Sequence, residues 1–407
     1  MKRLAIPAAA AVLLSATACG SGFDDQQAAP QQQSSGPAAL QVLMASSGDA
    51  ETNAVKQAAE TWAKASGNTA VVTPAQDIHQ QLGQGLAGSN PPDVFYVDAS
   101  RFADYASVGA LEPYGDKISD SQDFYPSLRE TFTYDGKFYC APKDFSTLAL
   151  VVNDTVWKEN GLTDDDIPTT WEELAAVAKK IKDVTPLAFN ESRDRLGVFM
   201  VQAGGWITSK DGKQATGDST ENLAALEYVK ELLTGKQIQY AKALDTEWGG
   251  EALGKGKTAM TIEGNWIKGA MTADYPDVAF SAHELPAGPA GKGTLSFTNC
   301  WGIAAKSKNK AAAIDFVEAM TKADQQLTFA KAFGVMPSRQ SAKDAYLKEF
   351  PADAAFVNGA EYAQGPVNVP KMDSVLSDFD AGLQQLADQD PKAILARLQK
   401  NTESAIG

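Results

Sequence analysis

Three carboxylates in this sequence could do chemistry, because Asp98, Asp144 and Glu263 stand at or beside the ends of apolar segments. Two carboxylates at a fixed separation are what a secreted glycoside hydrolase uses to cleave a sugar. Nothing in the spacing of these three residues demands such a pair. Glycoside hydrolysis therefore stays an alternative function.

Metal and nucleotide chemistry is disfavoured by the residues available. The sequence contains two histidines and three cysteines, which leaves few ways to build a zinc site or a histidine-based triad. Residues 83–88 match the glycine pattern of a dinucleotide site, but they end a predicted helix and precede a predicted strand. The dinucleotide fingerprint instead follows a strand and opens a helix. We therefore expect no metal and no cofactor.

Net charge and chain length limit the expected partners and the number of domains. The 407 residues include 36 Lys and Arg against 51 Asp and Glu, a formal net charge of −15. Such a balance disfavours a nucleic acid or an anionic membrane surface as a partner. A chain of this length is expected to form two or three domains, because single cores stop growing well below this size.

The elements that must position these residues alternate between strands and helices, which predicts the α/β class with open, mostly parallel sheets. The sequence Asp135-Gly136 lies between two short aromatic segments and is typical of a type I′ hairpin turn. Thr170 and Glu173 form a predicted capping box at a helix start. The predicted strands span residues 41–45, 69–73, 93–97, 147–152, 258–262 and 300–304.

Ligands in open α/β sheets bind beyond the carboxyl ends of the strands. The loops that could carry a site therefore begin at Ser46, Asp98, Ser146 and Glu263.

The first residues predict an export signal. Two basic residues precede an apolar run at positions 4–14, which is too short to span a bilayer. The run ends in small residues before Cys19, similar to the lipobox of bacterial lipoproteins. We predict a signal peptide over residues 1–18, a lipid on Cys19 and a flexible tether over residues 19–39. Ordinary cleavage and release is the alternative.

The two remaining cysteines, Cys140 and Cys300, form a candidate disulfide, because thiols outside the cytoplasm tend to oxidise. The alternative is that each is a small buried apolar side chain.

Several segments follow one another in an order that resembles a known family. They are DVFYVDASRFADYASVGAL (93–111), PKDFSTLALVVN (142–153), TTWEEL (169–174), KTAMTIEGNW (257–266), and the stretches 306–313 and 333–339. The chain resembles the extracellular solute-binding proteins of bacterial ABC importers, in particular the maltodextrin-type sugar-binding lipoproteins. The similarity covers nearly the whole chain after the predicted signal.

The resemblance implies a two-lobed periplasmic-binding-protein fold of type II, with two open sheets joined by a hinge that closes on a ligand. Lobe I would comprise residues 40–145 and 302–349, and lobe II residues 146–301 and 350–407. The implied function is to capture a mono- or oligosaccharide between the lobes and deliver it to an ABC permease. The chain would be a monomer held by the Cys19 lipid on the outer face of the cell membrane.

The resemblance also implies a binding site. A sugar requires planar polar groups for its hydroxyls and aromatic rings for its C–H faces. Trp266 matches the stacking aromatic of the family. The predicted ligand-binding residues are Ser46, Ser47, Asp98, Arg101, Asp144, Ser146, Arg193, Trp206, Trp266, Asn299 and Trp301.

Two further implications concern the hinge and the ligand. The resemblance places Cys140 and Cys300 together at the hinge, where a disulfide would limit hinge motion. Leu376 occupies a position where maltodextrin binders carry another stacking aromatic, which argues against a long α-glucan. A second alternative ligand is a glycerol phosphate held by Arg101 and Arg193.

Overall fold

The computed structural model describes residues 36–407. The predicted signal peptide, the predicted lipid on Cys19 and most of the predicted tether lie outside the described residues. Within residues 36–407, no helix has the length and apolar character needed to cross a membrane.

The described chain alternates strands and helices from end to end. The strands are β1 (Ala39–Met44), β2 (Thr69–Pro74), β3 (Val94–Asp98), β4 (Thr133–Tyr134), β5 (Lys137–Phe138), β6 (Ala141–Pro142), β7 (Ser146–Asn153), β8 (Thr185–Phe189), β9 (Ile238–Tyr240), β10 (Thr258–Gly264), β11 (Phe280–His283), β12 (Thr294–Phe297), β13 (Asn299–Ile303) and β14 (Ala363–Gln364). The α-helices are α1 (Asp49–Ser66), α2 (Ile78–Ala87), α3 (Ala99–Ser107), α4 (Pro126–Thr131), α5 (Asp154–Glu159), α6 (Trp171–Ala178), α7 (Arg193–Ala203), α8 (Thr220–Thr234), α9 (Gly249–Gly254), α10 (Ile267–Asp274), α11 (Lys310–Met320), α12 (Ala323–Phe333), α13 (Lys343–Glu349), α14 (Ala354–Gly359), α15 (Asp373–Leu383) and α16 (Pro391–Ile406).

The smaller of the two main sheets has five strands in the order β2-β1-β3-β13-β6. β1 is parallel to β2 and β3, and β13 runs antiparallel to β3. The residues of β3 are buried up to the exposed Asp98, as expected for a strand covered on both faces. Trp62 of α1 and Phe316 of α11 pack edge to face in the core against this sheet. We call this part of the chain the smaller half.

The larger sheet has the order β14-β12-β7-β10-β8-β9, with β11 also paired to β7. β7 is buried along its whole length and runs antiparallel to β10, β11 and β12. α7, α8, α15 and α16 pack over this sheet around Phe379 and Leu398. We call this part the larger half. Both sheets are mixed rather than mostly parallel as expected, because the strands beside the passages between them run antiparallel to their neighbours.

The chain passes between the sheets at short segments. It leaves the smaller sheet after β6 and enters the larger one at Ser146, and it returns at Thr298, between β12 and β13. The return slightly precedes the predicted boundary after residue 301, because all of β13 pairs in the smaller sheet. Phe145 pairs with Met336, which brings the segment after α12 beside the first passage.

A disulfide joins Cys140 and Cys300, whose Cα atoms are 5.7 Å apart. Both residues are buried, and Cys300 in β13 pairs with Pro142 in β6. The disulfide therefore ties β13 to the residue that precedes β6, within the smaller half. The disulfide does not span the two halves, and its predicted effect on hinge motion stays a prediction.

Local sequence signals form turns and caps close to where they were expected. Asp135 and Gly136 have φ angles of 48° and 72°, as a type I′ turn between β4 and β5 requires. Thr170 accepts a hydrogen bond from the Glu173 amide at 3.2 Å. The carboxylate of Glu173 accepts from the Thr169 amide instead of the Thr170 amide, so the predicted capping box is only half formed.

Candidate functional site

Trp266 stands just beyond the end of β10 and presents an unusual exposed indole, with 37 % of the residue exposed. A Cβ added to Gly264 would lie 2.2 Å from Cζ3 of Trp266, so the ring rests directly on the glycine backbone. The edge of the indole meets Phe297 of β12, with ring centroids 5.3 Å apart and planes at 89°. A bare backbone and an aromatic neighbour thus hold the ring at the surface.

Glu263 lies beneath this ring and is fully buried. Its Oε2 accepts hydrogen bonds from Nε1 of Trp266 at 2.9 Å and from Nη2 of Arg195 at 2.7 Å. Burial raises the pKa of Glu263, and the Arg195 guanidinium offsets only part of that rise. The guanidinium carbon is 5.5 Å from the indole centroid, within cation–π range. The exposed indole face can stack on the C–H face of a sugar, while the buried Glu263 carboxylate is already occupied by Trp266 and Arg195.

Ser146 supports the turn that carries Trp266. Its Oγ accepts a hydrogen bond from the Asn265 amide at 3.1 Å, and the Asn265 side chain donates to the Gly334 carbonyl at 3.0 Å. Ser146 also pairs with Phe297 across β7 and β12. The buried Ser146 hydroxyl therefore holds the turn in place through its hydrogen bond with the Asn265 amide.

A charged group near the first passage brings together Glu51, Lys143, Asp144 and Tyr96, and we call it the Lys143 cluster. Nζ of Lys143 donates to Oε1 of Glu51 at 3.1 Å and also to the carboxylate of Asp144. The Tyr96 hydroxyl donates to the same Glu51 oxygen at 3.1 Å. The ammonium lies 4.7 Å from the Tyr96 ring centroid. The predicted residue Asp144 therefore belongs to a buried network.

The two carboxylates of the Lys143 cluster respond differently to burial. Burial raises the pKa of Asp144, and the nearby ammonium counteracts only part of the rise. Burial alone would also raise the pKa of Glu51, but Lys143 and hydrogen bonds from Ser47 together lower it. Ser47 donates from its amide and its hydroxyl to Glu51, at 2.8 and 2.7 Å. Ser46 bonds instead to Thr52 and Gly48 at the start of α1.

Asp98 and Asn299 lie opposite each other where β3 ends and β13 begins. Asp98 is exposed and caps α3 by accepting from the Ser100 amide at 2.8 Å. The Asn299 carbonyl accepts from the Lys143 amide at 2.9 Å, and its side chain is half-buried. The structure therefore brings these two predicted residues together beside the Lys143 cluster.

The two predicted arginines each pair with a carboxylate of α15. Arg101 of α3 contacts Asp373, and the two side chains are 39 % and 48 % exposed. Arg193 contacts Asp380 through its guanidinium, and its amide donates to the same carboxylate at 2.8 Å. The Arg101 contact joins the two halves, whereas the Arg193 contact stays within the larger half.

Trp301 is a core residue, and its predicted contact with a ligand is corrected. Only 1 % of the residue is exposed. Its ring packs edge to face against Tyr96 and Phe316, at centroid distances of 4.7 and 5.8 Å. The indole has no surface to offer because α11 covers this face of the smaller sheet.

Trp206 lines a groove of about 1870 Å³ between the halves. The smaller half contributes Glu130 and Thr133, and the larger half contributes Trp206, Lys210 and Asn368. The volume exceeds the roughly 300–1,000 Å³ of an ordinary small-molecule pocket. Its lining includes both polar side chains and the Trp206 ring, but it contains neither Trp266 nor the Lys143 cluster, so of the predicted ligand-binding residues only Trp206 lies in this groove.

Sequence reasoning missed the residues that support the indole. Arg195 lies two positions after the predicted Arg193, and only the rotation of α7 decides which of the two faces Glu263. Phe297 and Lys143 were each within two residues of a predicted site residue, but no pattern in the sequence distinguished them. Among residues 36–407, no group of His, Cys, Asp and Glu is placed to hold a metal ion.

Comparison with known proteins gives one family and several relatives. A family model described as bacterial extracellular solute-binding protein matches residues 57–358. The diacetylchitobiose binding protein DasA of Streptomyces coelicolor is 26% identical over 289 residues, which are 68% of this chain and 68% of that protein. The maltotriose-binding protein of Pyrococcus abyssi is 23% identical over 346 residues, 80% of this chain and 73% of that protein.

A solved structure shows the same architecture. The crystal structure of the cyclic alpha-maltosyl-1,6-maltose binding protein from Arthrobacter globiformis superposes with a TM-score of 0.82 at 22% identity, covering 91% of this chain and 99% of that one. This likeness confirms the predicted fold class, the two-lobed α/β fold of periplasmic binding proteins.

Proposed function

This chain belongs to the bacterial extracellular solute-binding proteins, and we propose that the solute it captures is a mono- or oligosaccharide, which it delivers to the permease of an ABC importer. Members of this family bind and release their solutes outside the cytoplasm, so the chain is a binding protein and not an enzyme.

The observation that carries the sugar assignment is the construction of the Trp266 surface. The exposed indole is held in a fixed position by Gly264, Phe297 and the buried Glu263, and the Arg195 guanidinium lies within cation–π range beside it. Such an aromatic face can stack on the apolar C–H face of a sugar. Two relatives, a diacetylchitobiose binding protein and a maltotriose-binding protein, point to the same ligand class.

We further propose that Asp98, Asn299, Asp144 and Ser47 supply hydroxyl contacts from the smaller half and the passage beside it, while Trp206 extends the site into the groove. The register of Asp98 with Asn299 and the hydrogen bonds of the Lys143 cluster support this grouping. Ser46 lies at the same end of β1, next to Ser47.

The proposed lobes are the smaller and larger halves, with the sequence-based boundaries 40–145 with 302–349 and 146–301 with 350–407, except that residues 299–301 of β13 are assigned to the smaller half. We also propose a monomer anchored by the Cys19 lipid to the outer face of the cell membrane. A family located outside the cytoplasm and the small residues before Cys19 support the anchor. Metabolic labelling with a fatty-acid analogue, compared between the natural chain and Cys19→Ala, tests it.

The glycerol phosphate alternative is less well supported. A phosphate would need the guanidinium groups of Arg101 and Arg193, and both are paired with carboxylates of α15. Competition by inorganic phosphate and by glycerol phosphate distinguishes this ligand from a neutral sugar.

The test of the sugar assignment is Trp266→Ala. A panel of sugars is first screened by thermal shift, because a ligand of the folded state alone raises the melting temperature. Calorimetry with a sugar that binds should then show affinity reduced by roughly thirty-fold or more, the scale of a central aromatic contact. Val71→Ala, at an exposed apolar residue on β2, is the control and should leave affinity unchanged. Turnover of a bound sugar, or binding unaffected by Trp266→Ala, would contradict the proposal.

A further inference from the structure

We propose that Glu263 is a positioning residue for the sugar site, which fixes the orientation of the Trp266 indole while Arg195 keeps the buried carboxylate paired. This inference rests on the proposed function, since it concerns how the same site selects its ligand. Glu263 touches the indole nitrogen and not the exposed ring surface, so it acts through Trp266.

Packing against Gly264 and Phe297 holds only part of the Trp266 indole. A tryptophan at the end of a strand can rotate about two side-chain torsions, and more than a third of this residue is exposed. The hydrogen bond from Nε1 to Glu263 Oε2 fixes the edge of the ring at 2.9 Å. Gly264 and Phe297 then limit rotation of the opposite side.

The Glu263 carboxylate is itself held in place. Glu263 is fully buried in the strand β10, between β7 and β8. Arg195 donates to both of its oxygens, at 3.4 Å from Nε and 2.7 Å from Nη2, and also donates to the carbonyl of Asp194. A charged acceptor held this way gives a strong and directional hydrogen bond. The position of the stacking surface is therefore set from inside the larger half, before a ligand arrives.

A fixed Trp266 ring would restrict which sugars bind. The guanidinium lies 5.5 Å from the indole centroid and the Phe297 edge approaches at right angles. These neighbours leave a restricted part of the ring for stacking, so a fixed ring would favour sugars whose apolar face presents at one angle. A ring that rotates would bind several sugars weakly instead.

The experiment follows the indole N–H resonance of Trp266 in the full mature chain labelled with nitrogen-15, assigned by its loss in Trp266→Phe. Glu263→Gln should move that resonance upfield and broaden it in the protein without sugar. Affinity for a sugar found by thermal shift should fall about ten-fold, because the neutral amide that replaces the carboxylate is a weaker acceptor for the indole N–H. In the Trp266→Phe background, Glu263→Gln should cause no further loss of affinity.

A matched control is Asp353→Asn in the same half. Asp353 is also a buried carboxylate, and it accepts from Lys268 and from the aromatic hydroxyl of Tyr346. This variant should lose stability but leave the Trp266 resonance and the sugar affinity unchanged. If Glu263→Gln folds poorly, the double variant Arg195→Met/Glu263→Gln removes the buried charges together and should show the same resonance shift.

The proposal is overturned if the indole resonance is unmoved in Glu263→Gln or in the double variant, or if the loss of affinity persists in the Trp266→Phe background. Because the resonance is read without ligand, its shift tests positioning even if no sugar binds. Failure of every sugar to bind the natural chain would instead contradict the proposed function.

Discussion

Two arginine–carboxylate pairs lie near the site, and they differ in burial and in what they connect. Arg195 and Glu263 belong to α7 and β10 of the larger half, with side chains 11 % and 0 % exposed. Arg101 and Asp373 join α3 of the smaller half to α15 of the larger half, and both are substantially exposed. The first pair is part of a rigid core and shapes a surface, whereas the second must break whenever the halves separate.

The exposed pair does not act alone. The Lys371 amide donates to Asp104 at 2.8 Å, and the Asn368 side chain donates to the Thr133 carbonyl at 2.7 Å. The segment 368–373 therefore touches the smaller half through α3 and through the β4–β5 hairpin. These contacts would break if the halves moved apart. The Arg195–Glu263 contact lies within the larger half and would be kept.

The largest expected effect comes from breaking the buried pair on one side only. Arg195→Met leaves the Glu263 carboxylate buried without its cation, which should lower the free energy of unfolding by about 3–5 kcal/mol. Urea unfolding followed by circular dichroism measures the change. Arg195→Met/Glu263→Gln should recover most of the loss, because no buried charge then remains unpaired. Equal losses in the single and double variants would show that packing, and not charge, makes this pair important.

The disulfide provides a second comparison, because it stabilises the smaller half without joining the two halves. Replacing Cys140 and Cys300 with alanine should lower the free energy of unfolding by roughly 2–4 kcal/mol. Sugar affinity should change little, since Cys300 of β13 and Cys140 just before β6 both belong to the smaller half. Counting free thiols in the denatured chain with and without reductant is the direct check. A large change of affinity on reduction would support a role of the disulfide in hinge motion.

The free energy of unfolding should depend on pH through the buried Glu263 of the Arg195–Glu263 pair. Because burial raises the pKa of Glu263 above 4.5, the folded chain holds this proton more tightly than the unfolded chain. The stability that this tighter proton binding adds to the folded chain is complete below pH 4.5. It is lost as the pH rises through the raised pKa of Glu263. The stability of the natural chain minus that of Glu263→Gln should therefore decrease as pH rises from 4.5. Urea unfolding at several pH values measures this difference, and an increase with pH would refute the direction.

The fold could be predicted from the sequence where the signals were local. The apolar run of β3, the Asp-Gly turn at residue 135 and the cap of α6 each depend on a few neighbouring residues. The mixed direction of the sheets could not be predicted, because strand direction near the passages depends on how the two halves connect.

The site was predictable in part for the same reason. Trp266 and Asp98 follow strands, and the family resemblance placed both near a ligand. Trp301 is also a tryptophan, and it lies in a predicted strand, but α11 covers its ring. α11 begins only a few residues after Trp301, but its packing on this face of the sheet is a tertiary contact that no local pattern specifies. The partners of Arg101 and Arg193 lie in α15, more than a hundred residues away, so their pairing left no local signal.

The smallest expected effect comes from the exposed pair. Asp373→Asn removes one contact between the halves and should change the free energy of unfolding by less than about 1 kcal/mol, because water and salt screen exposed charges. Its effect should appear in ligand binding instead. If the pair favours the arrangement in which the halves meet, sugar affinity should fall a few-fold at low salt, and the loss should shrink in concentrated salt.

Asp378→Asn is the matched control for this last prediction. Asp378 pairs with Arg397 at 2.8 Å, with side chains exposed to a similar degree, but both residues lie in the larger half on α15 and α16. Calorimetry at two salt concentrations, with small-angle scattering of the protein alone, should separate the variants: Asp373→Asn becomes more expanded and binds more weakly, and Asp378→Asn does neither. If both variants behave alike, Arg101–Asp373 is an ordinary surface pair. An increase in affinity in Asp373→Asn would instead mean that the freed guanidinium of Arg101 contacts the sugar, which is the role that the family resemblance gave it.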